Sequence, residues 1–174
     1  MGDSERFLVL IRQESPADHD AVQSLIARAF AGRPFSNGSE PRIVDGLRRA
    51  DALVLSLVAV MGRQVVGHVA FSAVGPPALH GWYALGPVSV EPSFQRRGVG
   101  TQLIEAGLRD LRSRGAKGCV VVGDHRYYQR FGFSLVPELA PSGYSDEHFQ
   151  LIAFGPSRPM ARVAFHPAFS VGPS

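Results

Sequence analysis

Apolar residues recur at three- and four-residue spacing early in the chain. Val22, Leu25, Ile26, Ala29 and Phe30 fall on one face of a helix over residues 16–30. Ser15 before Pro16 supplies an N-cap and a proline at the first helical position, where its missing N–H is no loss. Ahead of this helix, Phe7 to Ile11 is a short apolar run that predicts a strand. Residues 31–41, rich in Gly, Pro, Ser and Asn, predict a loop, and a shorter helix over about 41–50 carries Ile43, Val44 and Leu47.

Strand patterns follow. Leu53–Met61 and Gln64–Val74 are joined by Gly62-Arg63, a hairpin-like connection, and after Pro76-Pro77 a third run spans Trp82–Val90. Helical spacing returns over residues 99–114, with Val99, Leu103, Ala106, Gly107 and Leu111 toward the core and Glu105, Arg109 and Arg112 toward water. Gly115 ends that helix. The uninterrupted run Cys119–Val122 suits a sheet interior, and Gly123-Asp124 caps a brief helix reaching Phe131. Beyond a loop at 137–145, His148–Phe154 and Met160–His166 predict the last two strands.

At 174 residues, with 45% hydrophobic and 19% charged positions, the chain suits one soluble domain over residues 1–174. Its net charge of +3 comes mostly from scattered arginines, with Lys117 the only lysine. There is no basic stripe of the kind that tracks a nucleic acid, so no nucleic-acid partner is expected. The single cysteine, Cys119, lies in an apolar run and reads as a buried structural thiol. The six histidines, at 19, 68, 80, 125, 148 and 166, are dispersed, so no metal site is expected. The N-terminal Met-Gly-Asp-Ser-Glu-Arg is unlike a signal peptide, and the run from Leu53 to Met61 is too short to span a bilayer. A cytoplasmic protein without a membrane partner, monomer or homodimer, is expected.

Candidate chemistry is concentrated in Gln95-Arg96-Arg97-Gly98-Val99-Gly100, between the strand 82–90 and the helix starting at Val99. The first N–H groups of a helix lack internal partners and carry partial positive charge, so they attract an anion. Gly98 and Gly100 remove side chains where a phosphate would approach, and Arg96 and Arg97 add charge at the rim. The same arginines would also suit a solvated turn. The pattern lacks the third glycine of a dinucleotide fingerprint and the Gly-Lys-Ser/Thr of a P-loop.

The run Val88-Ser89-Val90-Glu91-Pro92-Ser93-Phe94-Gln95-Arg96-Arg97-Gly98-Val99-Gly100-Thr101 resembles the acyl-coenzyme A motif of the GNAT superfamily of N-acetyltransferases. Tyr128-Gln129-Arg130-Phe131-Gly132-Phe133 is similar to that family's Tyr-x-x-x-Gly-Phe segment. The order of elements from residue 6 to 166 agrees as well, and Phe-His-Pro-Ala-Phe at 165–169 resembles the ending of a bacterial subgroup of the family. The resemblance implies a three-layer α/β/α fold around a mixed, mostly antiparallel sheet of about seven strands, with about four helices. It implies acetyl transfer from acetyl-CoA to a primary amine by direct attack in a ternary complex.

In that family the strand matching 82–90 splays from that matching 119–122. The resemblance makes Val88 and Val90 main-chain partners of the pantetheine arm, although both also suit the core. It gives the amides from Arg96 through Gly98, Val99, Gly100 and Thr101 to the diphosphate, with Gln95 fixing the turn. Tyr128 would protonate or hydrogen-bond the departing thiolate, a phenol of pKa about 10 being protonated at neutral pH. Tyr127 would pack or touch the cofactor, and Asp124 would cap the short helix or contact the cofactor arm. The general base stays open. The strand 82–90 carries no acid, Glu91 lies beyond its end and reads as exposed, and Tyr83, His68 and His80 are alternatives for a relay. The loops 31–41 and 137–147 would shape the acceptor pocket, with Asp146 and Glu147 either attracting a cation or being plain surface charge. A non-catalytic acyl-CoA-binding module is the alternative.

Overall fold

A computed structural model describes residues 8–144 and 146–170 of the chain. Seven strands form one sheet: β1 Leu10–Gln13, β2 Leu53–Met61, β3 Gln64–Ala73, β4 Trp82–Val90, β5 Gly118–Val122, β6 Ser134–Leu135 and β7 Phe149–Ala153. Their order across the sheet is β1-β2-β3-β4-β5-β7-β6, and every neighbouring pair is antiparallel except β4 with β5. Among the described residues four α-helices accompany them: α1 His19–Phe30, α2 Glu40–Arg49, α3 Val99–Ser113 and the short α4 His125–Tyr128.

The helices divide between the two faces. From α1 and α2, Val22, Ile26 and Val44 pack on Val58 and Ala70 of β2 and β3. From α3, Val99, Leu103, Ile104, Leu108 and Leu111 pack on Leu55, Leu57, Val69 and Phe71 of the opposite face. Burial therefore follows the period of each element, and the three layers match the expected architecture. Ala106, expected in the core, is half-buried, while Ile104 and Leu108 are buried. Gly107 permits this contact: a Cβ there would lie 2.2 Å from Cε2 of Phe71. The helix ends as expected of glycine, with Gly115 at φ +78, its N–H donating to Arg112 O and that of Ala116 to Leu111 O.

Two expected elements need correction. Met160–His166 is not a strand. Its ladder contact is a single bridge from Ala164 to Gly75, and Met160 is 90% exposed. Its apolar residues serve another purpose, with Val163 buried in a cluster with Trp82, Val120 and Leu151 and Phe165 facing Tyr144. The seventh strand is instead Ser134–Leu135, beside β7. At the N-terminus the first strand is Leu10–Gln13, and Phe7 lies outside the described residues. Helix 16–30 opens as a 3-10 turn over Pro16–Asp18, where Asp18 accepts from the Ser15 N–H and hydroxyl.

Candidate active site

β4 and β5 pair in parallel only from Trp82–Ala84 to Gly118–Val120. Past Ala84 they part, and a cavity of about 970 Å³ opens between Leu85–Val88 on one side and Val121–Asp124 on the other. The parting coincides with a register shift of β4 against β3 between Leu85 and Val88, at Gly86-Pro87. Pro87 has no N–H to give a ladder, which suits it to this irregularity.

The remaining β4–β3 pairing orients the backbone beyond the bulge. The Glu91 N–H donates to Val66 O, and the register pairs Val90 with Gly67 and Val88 with Val69. In an antiparallel ladder, hydrogen-bonded and non-hydrogen-bonded pairs alternate. The peptide groups of Val88 and Val90 therefore point away from β3, toward the side where β5 has parted. Ser89 carries the bonds to β3. The valine side chains pack beside Gly100 and against the core, while their main-chain groups stay unpaired by β3.

The turn after β4 is braced rather than loose. Gln95 donates from Nε2 to Val90 O at 3.1 Å and accepts from Arg33 at 2.8 Å. Glu91, expected to be exposed, has a side chain only 14% exposed and an ion pair to Arg28 at 2.7 Å. Arg96 holds φ +61 and Gly98 φ +82. A left-handed non-glycine residue costs on the order of 1 kcal/mol, and such conformations persist where the backbone groups they aim are used. Gly98 is the N-cap of α3 and offers no capping side chain to the first-turn amides of Val99, Gly100 and Thr101. Arg96 and Arg97 are exposed beside them, Arg97 with its guanidinium 5.9 Å over the Phe94 ring.

Asp124 caps α4, accepting from the Arg126 N–H at 2.9 Å, and its carboxylate also pairs with the Arg126 guanidinium. The hydrogen bond from the Arg126 guanidinium, and then that from the Arg126 N–H, hold the Asp124 pKa below the usual carboxylate value. The cap sets two adjacent tyrosines on different tasks. Tyr127 reaches the α3 N-terminus, with its phenol oxygen 3.5 Å from Thr101 Oγ1, and the Arg130 guanidinium lies 4.5 Å over its ring. Tyr128 lines the cavity instead, its ring close against Gly123, where a Cβ would lie 2.5 Å from Cε2. Burial, with smaller contributions from Tyr127 and Cys119, pushes the Tyr128 phenol well above its ordinary value, so it stays protonated.

Gln150 was not anticipated. Fully buried on β7, it donates from Nε2 to Gly123 O at 2.9 Å and faces His125 Nδ1 at 2.7 Å. It anchors the bend that carries Asp124 and Tyr128, and a lone glutamine inside an apolar strand was its only sequence signal.

The relay candidates do not assemble. His80 is exposed, Tyr83 packs with the α3 side of the core, and neither lines the cavity. His68 is fully buried, with Nε2 2.8 Å from Ser56 Oγ, whose hydroxyl donates to Glu14 in turn paired with Arg48. Burial, and then Arg48, depress its pKa to about 3. Cys119 is buried and its thiol pKa is raised by that burial, as expected of a structural residue. Both loops expected to shape a pocket reach the cavity, through Phe35 and Glu40 from one and Tyr144 from the other. Asp146 and Glu147 are exposed and do not line it. Among the described residues no cluster fit for a metal ion occurs, and no helix is long and apolar enough to cross a membrane.

Comparison with known proteins agrees with this geometry. The model of the acetyltransferase (GNAT) family matches residues 20–133. A crystal structure of a GNAT family acetyltransferase from Brucella melitensis, in complex with acetyl-CoA, is 46% identical with a TM-score of 0.83, covering 93% of this chain and 98% of that one. The GNAT family N-acetyltransferase YhbS from Escherichia coli, in complex with CoA, is 30% identical with a TM-score of 0.82, covering 94% and 92%. The uncharacterized N-acetyltransferase YjhQ of Escherichia coli strain K12 is 32% identical over 125 residues. That match takes in 67% of this chain and 66% of the relative's length, just short of two thirds.

Proposed function

The chain belongs to the GNAT family of acetyltransferases, and from that premise we propose that it transfers an acetyl group from acetyl-CoA to a primary amine by direct attack in a ternary complex. The supporting observation is the parting of β4 and β5, which opens the cavity along the strand that leads into the glycine turn at the N-terminus of α3. The amides of Gly98, Val99, Gly100 and Thr101, with Arg96 and Arg97 at the rim, receive the diphosphate. Gln95 fixes that turn, and Tyr127 closes it from the α4 side. The main chain of Val88 and Val90 holds the pantetheine arm, with the Val90 N–H toward the thioester carbonyl, where negative charge develops. Asp124 contacts the arm at the cavity mouth while capping α4.

Tyr128 is the acid. Its half-buried, protonated phenol gives a proton to the sulfur as the carbon–sulfur bond breaks. One domain over residues 1–174, acting in the cytoplasm as monomer or homodimer without nucleic acid or membrane, belongs to the same proposal.

The test is an amine panel read by released thiol, beside acetyl-CoA binding by calorimetry. Turnover of a primary amine, with acetyl recovered on its nitrogen, is expected. Tight acetyl-CoA binding without turnover across the panel, unchanged by Tyr128→Phe, would instead identify a non-catalytic binding module.

A further inference from the structure

The cavity is walled by aromatic rings from two separate parts of the chain. Phe30 and Phe35, perpendicular with centroids 6.3 Å apart, come from the end of α1 and the following loop. Tyr144, Phe165 and Phe169 come from the C-terminal segment, Phe165 meeting Tyr144 at 4.8 Å and Phe169 at 5.4 Å. Residues 160–169 form a strap whose Phe165 and Phe169 close the cavity, held against α2 where Ala168 packs beside Ile43 and Leu47.

Two carboxylates line the same cavity, Glu40 and Asp124. Asp124 is committed to Arg126 and to the α4 cap. Glu40, the first residue of α2, is half-buried and accepts one hydrogen bond, from Ser36 Oγ at 2.8 Å. Among the described residues it has no cationic partner. A carboxylate uses roughly four acceptor positions, so Glu40 retains capacity for an ammonium group. The faces of surrounding aromatic rings also attract a cation.

Resting on the acetyltransferase assignment, we infer that Glu40 is the ammonium-binding residue of the acceptor site, and that the acceptor is a primary amine on an aromatic or bulky apolar body. The ammonium loses one proton to Glu40, directly or through one water, and from there to solvent. The amine nitrogen then forms its bond to the acetyl carbon while the carbon–sulfur bond breaks. The second nitrogen proton restores, through solvent, the one that Tyr128 gives to the sulfur, so amide, free thiol and one released proton balance the reaction. An acceptor carrying its own carboxylate beside the amine meets Glu40 with the wrong sign.

The experiment compares phenethylamine, ethylamine and phenylalanine as acceptors at saturating acetyl-CoA, in the wild type, Glu40→Gln and Phe35→Ala. Expected is a kcat/KM for phenethylamine at least tenfold above the other two. Glu40→Gln should lose at least tenfold in kcat/KM for phenethylamine, in KM because the ammonium loses its partner and in kcat because its proton loses its acceptor, with the KM for acetyl-CoA unchanged. Phe35→Ala should narrow the gap between phenethylamine and ethylamine. Undiminished kcat/KM in Glu40→Gln, or a wild-type preference for ethylamine or phenylalanine, overturns the acceptor assignment and leaves acetyl transfer standing. No thiol release with any amine, despite acetyl-CoA binding, overturns both.

Discussion

The phenol oxygen of Tyr127 stands 3.5 Å from the hydroxyl of Thr101 and 3.3 Å from where a Cβ on Gly100 would sit. The two halves of the sequence pattern, the glycine turn and the tyrosine segment, therefore meet in space over the first turn of α3. Gly100 serves two neighbours at once, the Tyr127 hydroxyl and any phosphate above it.

It follows that Gly100→Glu abolishes acetyl-CoA binding, a loss of more than about 100-fold, because the side chain displaces the Tyr127 hydroxyl and puts a negative charge at an anion site. Gly98→Ala acts differently. At φ +82 an added Cβ is strained, costing about 1 kcal/mol and lowering the melting temperature, with a smaller loss of affinity. Calorimetric titration with acetyl-CoA, beside thermal melts followed by circular dichroism, separates the two. A folded Gly100→Glu protein with wild-type affinity would remove the diphosphate site from α3.

Tyr128→Phe should lower kcat by about 100-fold or more, the usual contribution of a positioned proton donor, while leaving acetyl-CoA affinity unchanged. Because burial raises the Tyr128 pKa, its proton-donating form persists below that raised value and is lost only above it. The wild-type kcat should therefore show no fall attributable to this phenol from neutral pH to about 10, the ordinary phenol value. A stopped-flow profile of the chemical step falling near pH 8, and flattened by Tyr128→Phe, would contradict the assignment.

Sequence alone carries much of this fold for a physical reason: one-sided burial leaves a period. The α1 stripe of Val22, Leu25, Ile26 and Ala29 is buried as its spacing implies. Residues 160–166 misled because apolar residues on a strap also alternate, and a ladder needs a neighbouring strand that only the fold supplies. Ser134–Leu135 is too short to leave a period. The glycine turn was legible as a turn because its left-handed backbone, with Gly98 at φ +82, favours glycine. Glu40 was not, since an acid in the first turn of a helix is commonplace, and only the packing of α2 against the strap puts it on the cavity wall. Gln150 shows in the sequence only as a polar residue within an apolar strand, because its partners Gly123 and His125 come from a distant part of the chain.

Gly107→Ala tests the packing that positions α3. The added methyl carbon would lie 2.2 Å from Cε2 and 2.3 Å from Cζ of Phe71, both residues being buried. Overpacking of this kind costs roughly 1–3 kcal/mol, outweighing the better helix propensity of alanine at about 1 kcal/mol. Phe71→Leu relieves the clash, so the double variant should lose less than the two single losses summed. Additive denaturation energies would mean that the helix does not rest on this ring.

His68 links the fold to pH. It is buried against Ser56, with Glu14 and Arg48 beyond, and its pKa is depressed to about 3. In the unfolded chain a histidine titrates near 6.5. Between these values the unfolded state binds a proton that the folded state refuses, so stability falls as pH drops from about 6.5. The slope from this one group approaches 1.4 kcal/mol per pH unit before the carboxylates begin to protonate near pH 4. Above pH 7 it contributes no slope. His68→Gln removes the titration: the variant is less stable at neutral pH, having lost a fitted buried side chain, but its stability should change less between pH 7 and 4.5. Urea unfolding across that range measures both slopes. Equal slopes would mean that His68 accepts its proton in the folded protein, which requires the Ser56–Glu14 chain to stabilise the imidazolium more than burial and Arg48 oppose it.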